Sequence, residues 1–431
     1  MRIGVIGSGI AGLSSAWLLG QRHQVTLFEA NDYLGGHAHT VDVELQGQQF
    51  PVDTGFLIFN HQTYPYMTAL FDHLKVATHP SNMSFSVSID QPQLEWAGHN
   101  LATLFAQRRN VFRPTFIHML ADMLRFNKEV PAELTSGTSI SLGAFLDQRG
   151  YSAAFRNWYL LPMIAAIWSC PTAQMLDYPL ASFAQFFVNH GLLQIHNRPR
   201  WHTVSAGSRE YVRRMAMELT DVRLQTPVWA IARDEDGIWI STTRGGREHY
   251  DKLVFACHPD QALRILGSQA SSAEQGILGA IRYQPNRVVL HTDSSLLPKR
   301  RKLWSAWNYA ASNLQDQQAP VCVNYWLNAI QRLPTQTPVI LSLNPVHEPQ
   351  AQHVLAEYQY DHPMFNTAVL KAQAQLCVLQ GWQHTWYCGA WTGYGFHEDG
   401  LKSALALAQA FDVQAPWQAA QAMPSLTEIA A

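Results

Sequence analysis

The feature that most constrains this chain is a glycine pattern. Gly7-x-Gly9-x-x-Gly12 stands between an apolar run, RIGVI (2–6), and a helix-forming stretch, LSSAWLLG, that closes at Gly20. Gly7 permits a tight turn after a strand, Gly9 lets the backbone approach a pyrophosphate, and Gly12 allows close helix-on-strand packing. The amides of Ser8, Ile10 and Ala11 at the helix start would receive the phosphate charge, favoured by the helix dipole. Residues 24–28 (QVTLF) form the next strand, which ends on Glu29 and Ala30. An acid at that place accepts hydrogen bonds from a ribose. Strand, turn, helix and strand in this order predict a βαβ opening with a dinucleotide at its edge.

Composition bounds the rest. The chain has 431 residues, more than one core accommodates, so two or more domains are expected. Its 30 Lys+Arg and 32 Asp+Glu leave a net charge of -2, which argues against nucleic acid as the partner. Charged residues are only 14% of the chain, against the ~25% of a typical domain. With 47% hydrophobic residues and 14 Trp, 15 Tyr and 19 Phe, the deficit signals a large interior, an apolar ligand or a membrane face rather than disorder. Five scattered Cys, without a C-x-x-C pair, make no disulfide framework and point to a reducing compartment. Cys257-His258 has no companions at metal-ligand spacing, so no metal is expected. The N-terminus lacks a signal-peptide pattern and no run reaches the ~18–20 apolar residues of a membrane span. The expected location is the cytoplasm, including the inner face of its membrane.

Along the chain, 84–96 reads as a hairpin and 101–190 as helical and aromatic-rich. A helix over 211–219, a hairpin over 228–243 with its turn at Asp236-Gly237, and a buried strand over 252–256 follow. Residues 281–345 alternate like strands of a mixed sheet, and 401–411 reads as a helix. The expected fold class is α/β. A Rossmann-like dinucleotide domain from 1–80, 200–275 and 380–415 is interleaved with a mixed-sheet and helical substrate domain from 81–199 and 276–379.

Four further phrases, LGGHAHTV (34–41), VDTGFLIFN (52–60), MSFSVS (83–88) and YCGAWTGYGFHEDGLKSA (387–404), carry a resemblance. The chain resembles the flavin-containing amine oxidase superfamily, which includes protoporphyrinogen oxidases and carotenoid desaturases. Within it, the chain is most similar to a bacterial group of FAD-dependent oxidoreductases associated with fatty-acyl lipid modification. The resemblance implies a glutathione-reductase-like domain holding FAD, with adenine near residues 7–30 and the flavin ring under the C-terminal segment. It implies cofactor contacts from Gly35, Gly36, Thr54, Gly55 and Phe56, and from Gly389, Trp391, Gly400 and Leu401. Val228, on the hairpin that returns to the adenine, is expected beside it. His37 stands where the superfamily carries an arginine and is expected to fill its space. Cys388 does not match the position of covalent flavin attachment, so FAD is expected to be non-covalent and Cys388 a small buried apolar residue.

No second GxGxxG occurs in strand-helix context, which excludes a dedicated NAD(P)H domain. A substrate would then deliver hydride to the flavin, with oxygen, a quinone or a protein as electron acceptor. The aromatic segment 151–193 reads either as helical core or as a channel for a long apolar substrate. His397 is the first choice for a catalytic base, Asn60 for orienting substrate or flavin edge, and Tyr394 for an aromatic neighbour of the reacting group. The leading expectation is oxidation or desaturation of an apolar substrate, a fatty-acyl chain of a membrane lipid. The alternatives are a flavin amine oxidase, and a non-redox flavin-dependent isomerase or lipid-binding protein. Arg108, Arg109 and Arg113, and the run from Lys299 to Lys302, lie among Leu, Phe and Trp. They read as peripheral membrane contacts or as ordinary solvated turns.

Overall fold

Two sheets and a helical layer organise the chain. In this computed structural model residues 1–134, 140–194, 198–314 and 318–417 are described, so the end of the Pro/Ala tail lies outside. The first sheet has five parallel strands in the order Asp221–Arg223, Gln24–Phe28, Arg2–Ile6, Lys252–Phe255 and Thr385–Tyr387. Ile3, Val5, Leu27 and Val254 are fully buried, as parallel strands covered on both faces require. Helix Ile10–Leu19 packs on this sheet, and helix His397–Gln409 packs on that helix. Two glycines set that approach. A Cβ on Gly12 would lie 1.8 Å from the Gly7 carbonyl oxygen, and one on Gly400 would lie 2.7 Å from Ile10 Cγ2.

The second sheet has seven strands, in the order Val354–Pro363, Tyr283–His291, Ile340–Leu343, Cys322–Trp326, Trp307–Asn313, Phe85–Gln91 and Leu94–Ala97. All neighbours are antiparallel except Trp307–Asn313 and Phe85–Gln91. Helices Pro114–Glu133, Leu161–Trp168 and Leu180–Asn189 belong to a layer whose interior is built from buried Phe126, Phe145, Phe155 and Phe183. The strands of the first sheet all fall in 1–80, 200–275 and 380–415, and those of the second in 81–199 and 276–379.

Local differences from the sequence reading concern where elements begin. Of the FLIF run only Phe59 is strand, continuing into Asn60 and pairing with His202 and Trp201. The last helix starts at His397 rather than Leu401. Asp399 Oδ2 accepts from the Tyr394 and Phe396 amides (3.1 and 2.9 Å), which closes the first turn early.

Candidate functional site

A cavity of about 810 Å³ runs between the two sheets. Its nucleotide-like end is built by the first βα turn. Gly7 sits at φ +98° and donates to the Phe28 carbonyl at 2.9 Å, which no side-chain-bearing residue does without strain. Gly9 differs: a Cβ there would meet no protein atom within 4 Å. The protein's own packing therefore leaves open space over this loop, as a bound pyrophosphate requires. Gly36 (φ +57°) presses on Gly9 from behind, and Gly35 donates to the Ser8 carbonyl. Glu29, expected as a ribose acceptor, also braces the loop. Its Oε2 accepts from Ser8 N at 2.9 Å and Ser8 Oγ at 2.6 Å, and its Oε1 from Asn31 N at 2.8 Å. Ser8, Ile10, Ala11, Ala30 and Val228 share this end of the wall.

The middle of the cavity carries a histidine and tyrosine cluster. His37 lies with its ring 5.0 Å from Tyr360 and 5.5 Å from His362, and His258 stacks on Tyr283 at 4.0 Å. Burial, followed by the neighbouring imidazoles, drives the His37 pKa well below its usual value. Its Nε2 is buried without a hydrogen-bond partner among the described residues. His362 is wired to a single tautomer. The Arg287 amide donates to Asn344 Oδ1, and Asn344 Nδ2 donates to Asn286 Oδ1 at 2.7 Å. Asn286 Nδ2 must then donate to His362 Nδ1 (2.9 Å), leaving the ring proton on Nε2. Burial pushes the His362 pKa down to about 4, so the ring is neutral. Neither His362 nor Tyr360 was singled out by sequence reasoning. The signal was present in strand Val354–Pro363, where Tyr358, Tyr360 and His362 alternate onto one face.

The C-terminal segment walls the next stretch. Gly389, Trp391, Tyr394 and His397 line the cavity together with Thr54, Gly55 and Phe56. His397 stacks on Phe56 at 4.0 Å, and burial lowers its pKa to about 3. A group so reluctant to take a proton serves better as a wall than as a base at neutral pH. A buried amide holds the segment's backbone: Gln373 Nε2 donates to the Trp391 and Gly393 carbonyls at 2.7 and 2.8 Å. Glu398 points away and caps a different helix, accepting from the amides of Tyr66 and Met67 at the start of Pro65–Leu74. Burial lifts its pKa to about 8 despite those two donors.

The far end is apolar, with Ile167, Trp168, Phe186, Trp307, Tyr325 and Phe365 on its wall. Of all lining residues only Glu29, Arg264 and Asp361 are Asp, Glu, Lys or Arg, and none of these belongs to the far end. The aromatic segment 151–193 thus divides. Tyr151, Phe155 and Phe183 are helical core, while Trp168 and Phe186 reach the cavity.

Several expected site residues do not line the cavity. Asn60 does not line the cavity. Its Oδ1 accepts from the amides of Gln62 and Thr63, and its Nδ2 donates to Thr63 Oγ1, so a turn uses both ends of the side chain. Gly12, Gly35, Gly400 and Leu401 also lie behind the wall, where they support it by packing. Cys388 is fully buried beside Ser15 Oγ and faces no part of the cavity.

Comparison with known proteins agrees with this geometry. The model of a family described as flavin containing amine oxidoreductase matches residues 10–325. A segment of 83 residues is 40% identical to the 1-hydroxycarotenoid 3,4-desaturase of Flavobacterium sp. (strain P99-3), spanning 17% of this chain and 16% of that enzyme. The chain covers only 9% to 16% of the length of the curated carotenoid enzymes that it matches. Among solved structures, a CLA-producing fatty acid isomerase from P. acnes superposes with a TM-score of 0.68 at 16% identity, covering 96% of this chain and 99% of that one. Cyclohexylamine oxidase from Brevibacterium oxydans IH-35A superposes with a TM-score of 0.66 at 17% identity, covering 95% and 99%. At such identities the likeness is one of fold.

Proposed function

The chain belongs to the flavin containing amine oxidoreductase family, and from that premise we propose that it is an FAD-dependent oxidoreductase acting on an apolar, acyl-type substrate. The observation that carries this reading is the polarity of the cavity, with a glycine cradle at one end and an aromatic wall free of Asp, Glu, Lys and Arg at the other. The residues present fit FAD, because Gly9 lies on the cavity wall and faces open space that leaves room for a pyrophosphate. Bound there non-covalently in a Rossmann-like domain, FAD would supply the acceptor for a substrate hydride.

The chain's own residues bind, orient and exclude water. The amides from Ser8 to Ala11 would hold the pyrophosphate, and Glu29 and Val228 would flank the ribose and adenine. His37 and His362 remain neutral, so this part of the wall offers hydrogen bonds without adding charge, with His362 holding its proton on Nε2. Phe56, Trp391, Tyr394 and His397 would wall the flavin ring. Trp168, Phe186 and Trp307 would exclude water from an acyl chain, because burying apolar surface favours such a ligand. The far end gives an ammonium group no carboxylate to pair with, which disfavours an amine substrate. Oxygen, a quinone or a protein would take the electrons away.

Anaerobic titration of the yellow protein tests this reading. Acyl lipids are expected to bleach the flavin absorption, and amines of matched chain length to leave it unchanged. Bleaching by amines alone would make the protein an amine oxidase. Rearranged lipid without bleaching would make it an isomerase.

A further inference from the structure

The two basic runs, far apart in sequence, meet on one strand. Glu95 of strand Leu94–Ala97 is the junction. Its Oε1 accepts from the Lys299 amide at 2.8 Å, and its Oε2 accepts from the Arg300 guanidinium. From the other side, Gln107 Oε1 accepts from the Glu95 amide, and Asn110 Nδ2 donates to the Glu95 carbonyl. Ala97, Ala106 and Leu303 form a small buried cluster between the two runs. The acid at the centre is thereby covered and neutralised, while Arg108, Arg301 and Lys302 stand exposed and form no ion pair among the described residues.

The Arg108–Phe112 turn and the segments on either side of it expose apolar side chains that a water-facing surface would not collect. Phe112 is 87% exposed, the highest value among the large apolar residues described, and Leu101 is 73% exposed. Helix Pro114–Glu133 buries Phe116, Met119, Phe126 and Val130, yet its outer face carries exposed Ile117, Ala121 and Leu124 at spacings of four and three. Its acids turn inward: Asp122 accepts from the Ser152 amide, and Glu129 accepts from the Tyr151 hydroxyl.

We propose that the 3-10 turn Arg108–Phe112, the outer face of helix Pro114–Glu133 and the Lys299–Lys302 run form one docking surface for an anionic lipid bilayer. Phe112 and Leu101 insert at the headgroup boundary, and the exposed cations pair with lipid phosphates. Charge complementarity selects this occupant, because exposed basic and apolar groups, with Glu95, Asp122 and Glu129 turned inward and Asp90 half-exposed beside Lys299, match an anionic interface. The inference stands on surface chemistry and does not depend on the flavin reading.

Co-sedimentation of the full chain with vesicles tests it. Binding is expected to phosphatidylcholine vesicles containing phosphatidylglycerol, and to be lost on phosphatidylcholine alone or in high salt. Phe112→Ser is expected to weaken partitioning by about tenfold, the effect of losing one inserted aromatic ring. Arg108→Gln and Lys302→Gln should each lower the salt sensitivity, and together more than either alone, because both belong to one face. All three positions are exposed, so unchanged thermal unfolding accompanies each effect. Equal sedimentation with neutral and anionic vesicles, or no change in Phe112→Ser, overturns the proposal. So does a Phe112-dependent self-association of a chain that ignores vesicles, since the surface would then be a protein contact.

Discussion

His397 illustrates what an apolar wall does to an ionisable residue. Stacked on Phe56 and held by burial at a pKa of about 3, it compares with 6.5 for the free imidazole. The unfolded chain therefore takes up this proton first as pH falls. The stability that a neutral His397 contributes is complete above 6.5 and is lost between 6.5 and about 3. Replacing it by Phe keeps the stacked ring and removes the titration. His397→Phe should gain thermal stability over the native chain at pH ~5 relative to its standing at pH ~7.5, as read by unfolding scans at both values. An offset that does not change with pH would contradict this. Gly9 was legible from the sequence because its motif is local, six residues between a strand and a helix. That Asn60 closes a turn was not readable, because a polar residue after an apolar run looks the same whether it faces a ligand or caps a turn. His362 was overlooked because its tautomer depends on Asn286 and Asn344, neither of them a neighbour in sequence.

Among the elements, one buried ion pair joins three. Arg233, at the end of strand Val228–Arg233, makes a two-pronged contact with Glu274 of helix Ser272–Gly279, at 2.6 and 3.2 Å. Both side chains are almost fully buried, at 2% and 1% exposure. Arg233 Nε also donates to Thr385 Oγ1, and the Tyr387 hydroxyl donates to Glu274, so the last parallel strand is tied to the same pair. Burial alone would raise the Glu274 pKa, but Arg233, Tyr387 and the Ser271 amide outweigh it and hold the carboxyl below its usual range. Arg233→Met should cost about 3–5 kcal/mol, because it strands a buried charge. Adding Glu274→Leu should recover much of that loss, which denaturant unfolding of both variants would measure. A double variant no more stable than the single one would contradict the account. The strands and the hairpin over 228–243 were readable from alternation and from Asp236-Gly237. This tie was not, because it links segments whose approach only the assembled sheet defines.

Across the whole molecule, the scarcity of charge acquires a distribution. Charge is absent from the aromatic end of the cavity, and basic charge collects on the two runs that meet at Glu95. The strands of the two sheets were separable in the sequence because buried parallel strands read as continuous apolar runs while the mixed-sheet strands alternate. The cavity between the sheets was not readable in that way, since its wall draws on residues from Ile6 to His397. The central claim is that one end of this cavity is a non-covalent FAD site built around Gly9. Its most direct test is the absorption spectrum of the purified chain beside that of Gly9→Val, with released flavin counted after heat denaturation. A valine there meets no protein atom at its Cβ, so it should leave the fold intact and obstruct only the ligand. The account predicts a yellow native protein that releases a single FAD per chain, and a folded, colourless variant that does not take up added FAD. A native chain that is colourless and cannot be loaded, or a Gly9→Val chain that binds FAD as well as the native one, would contradict it.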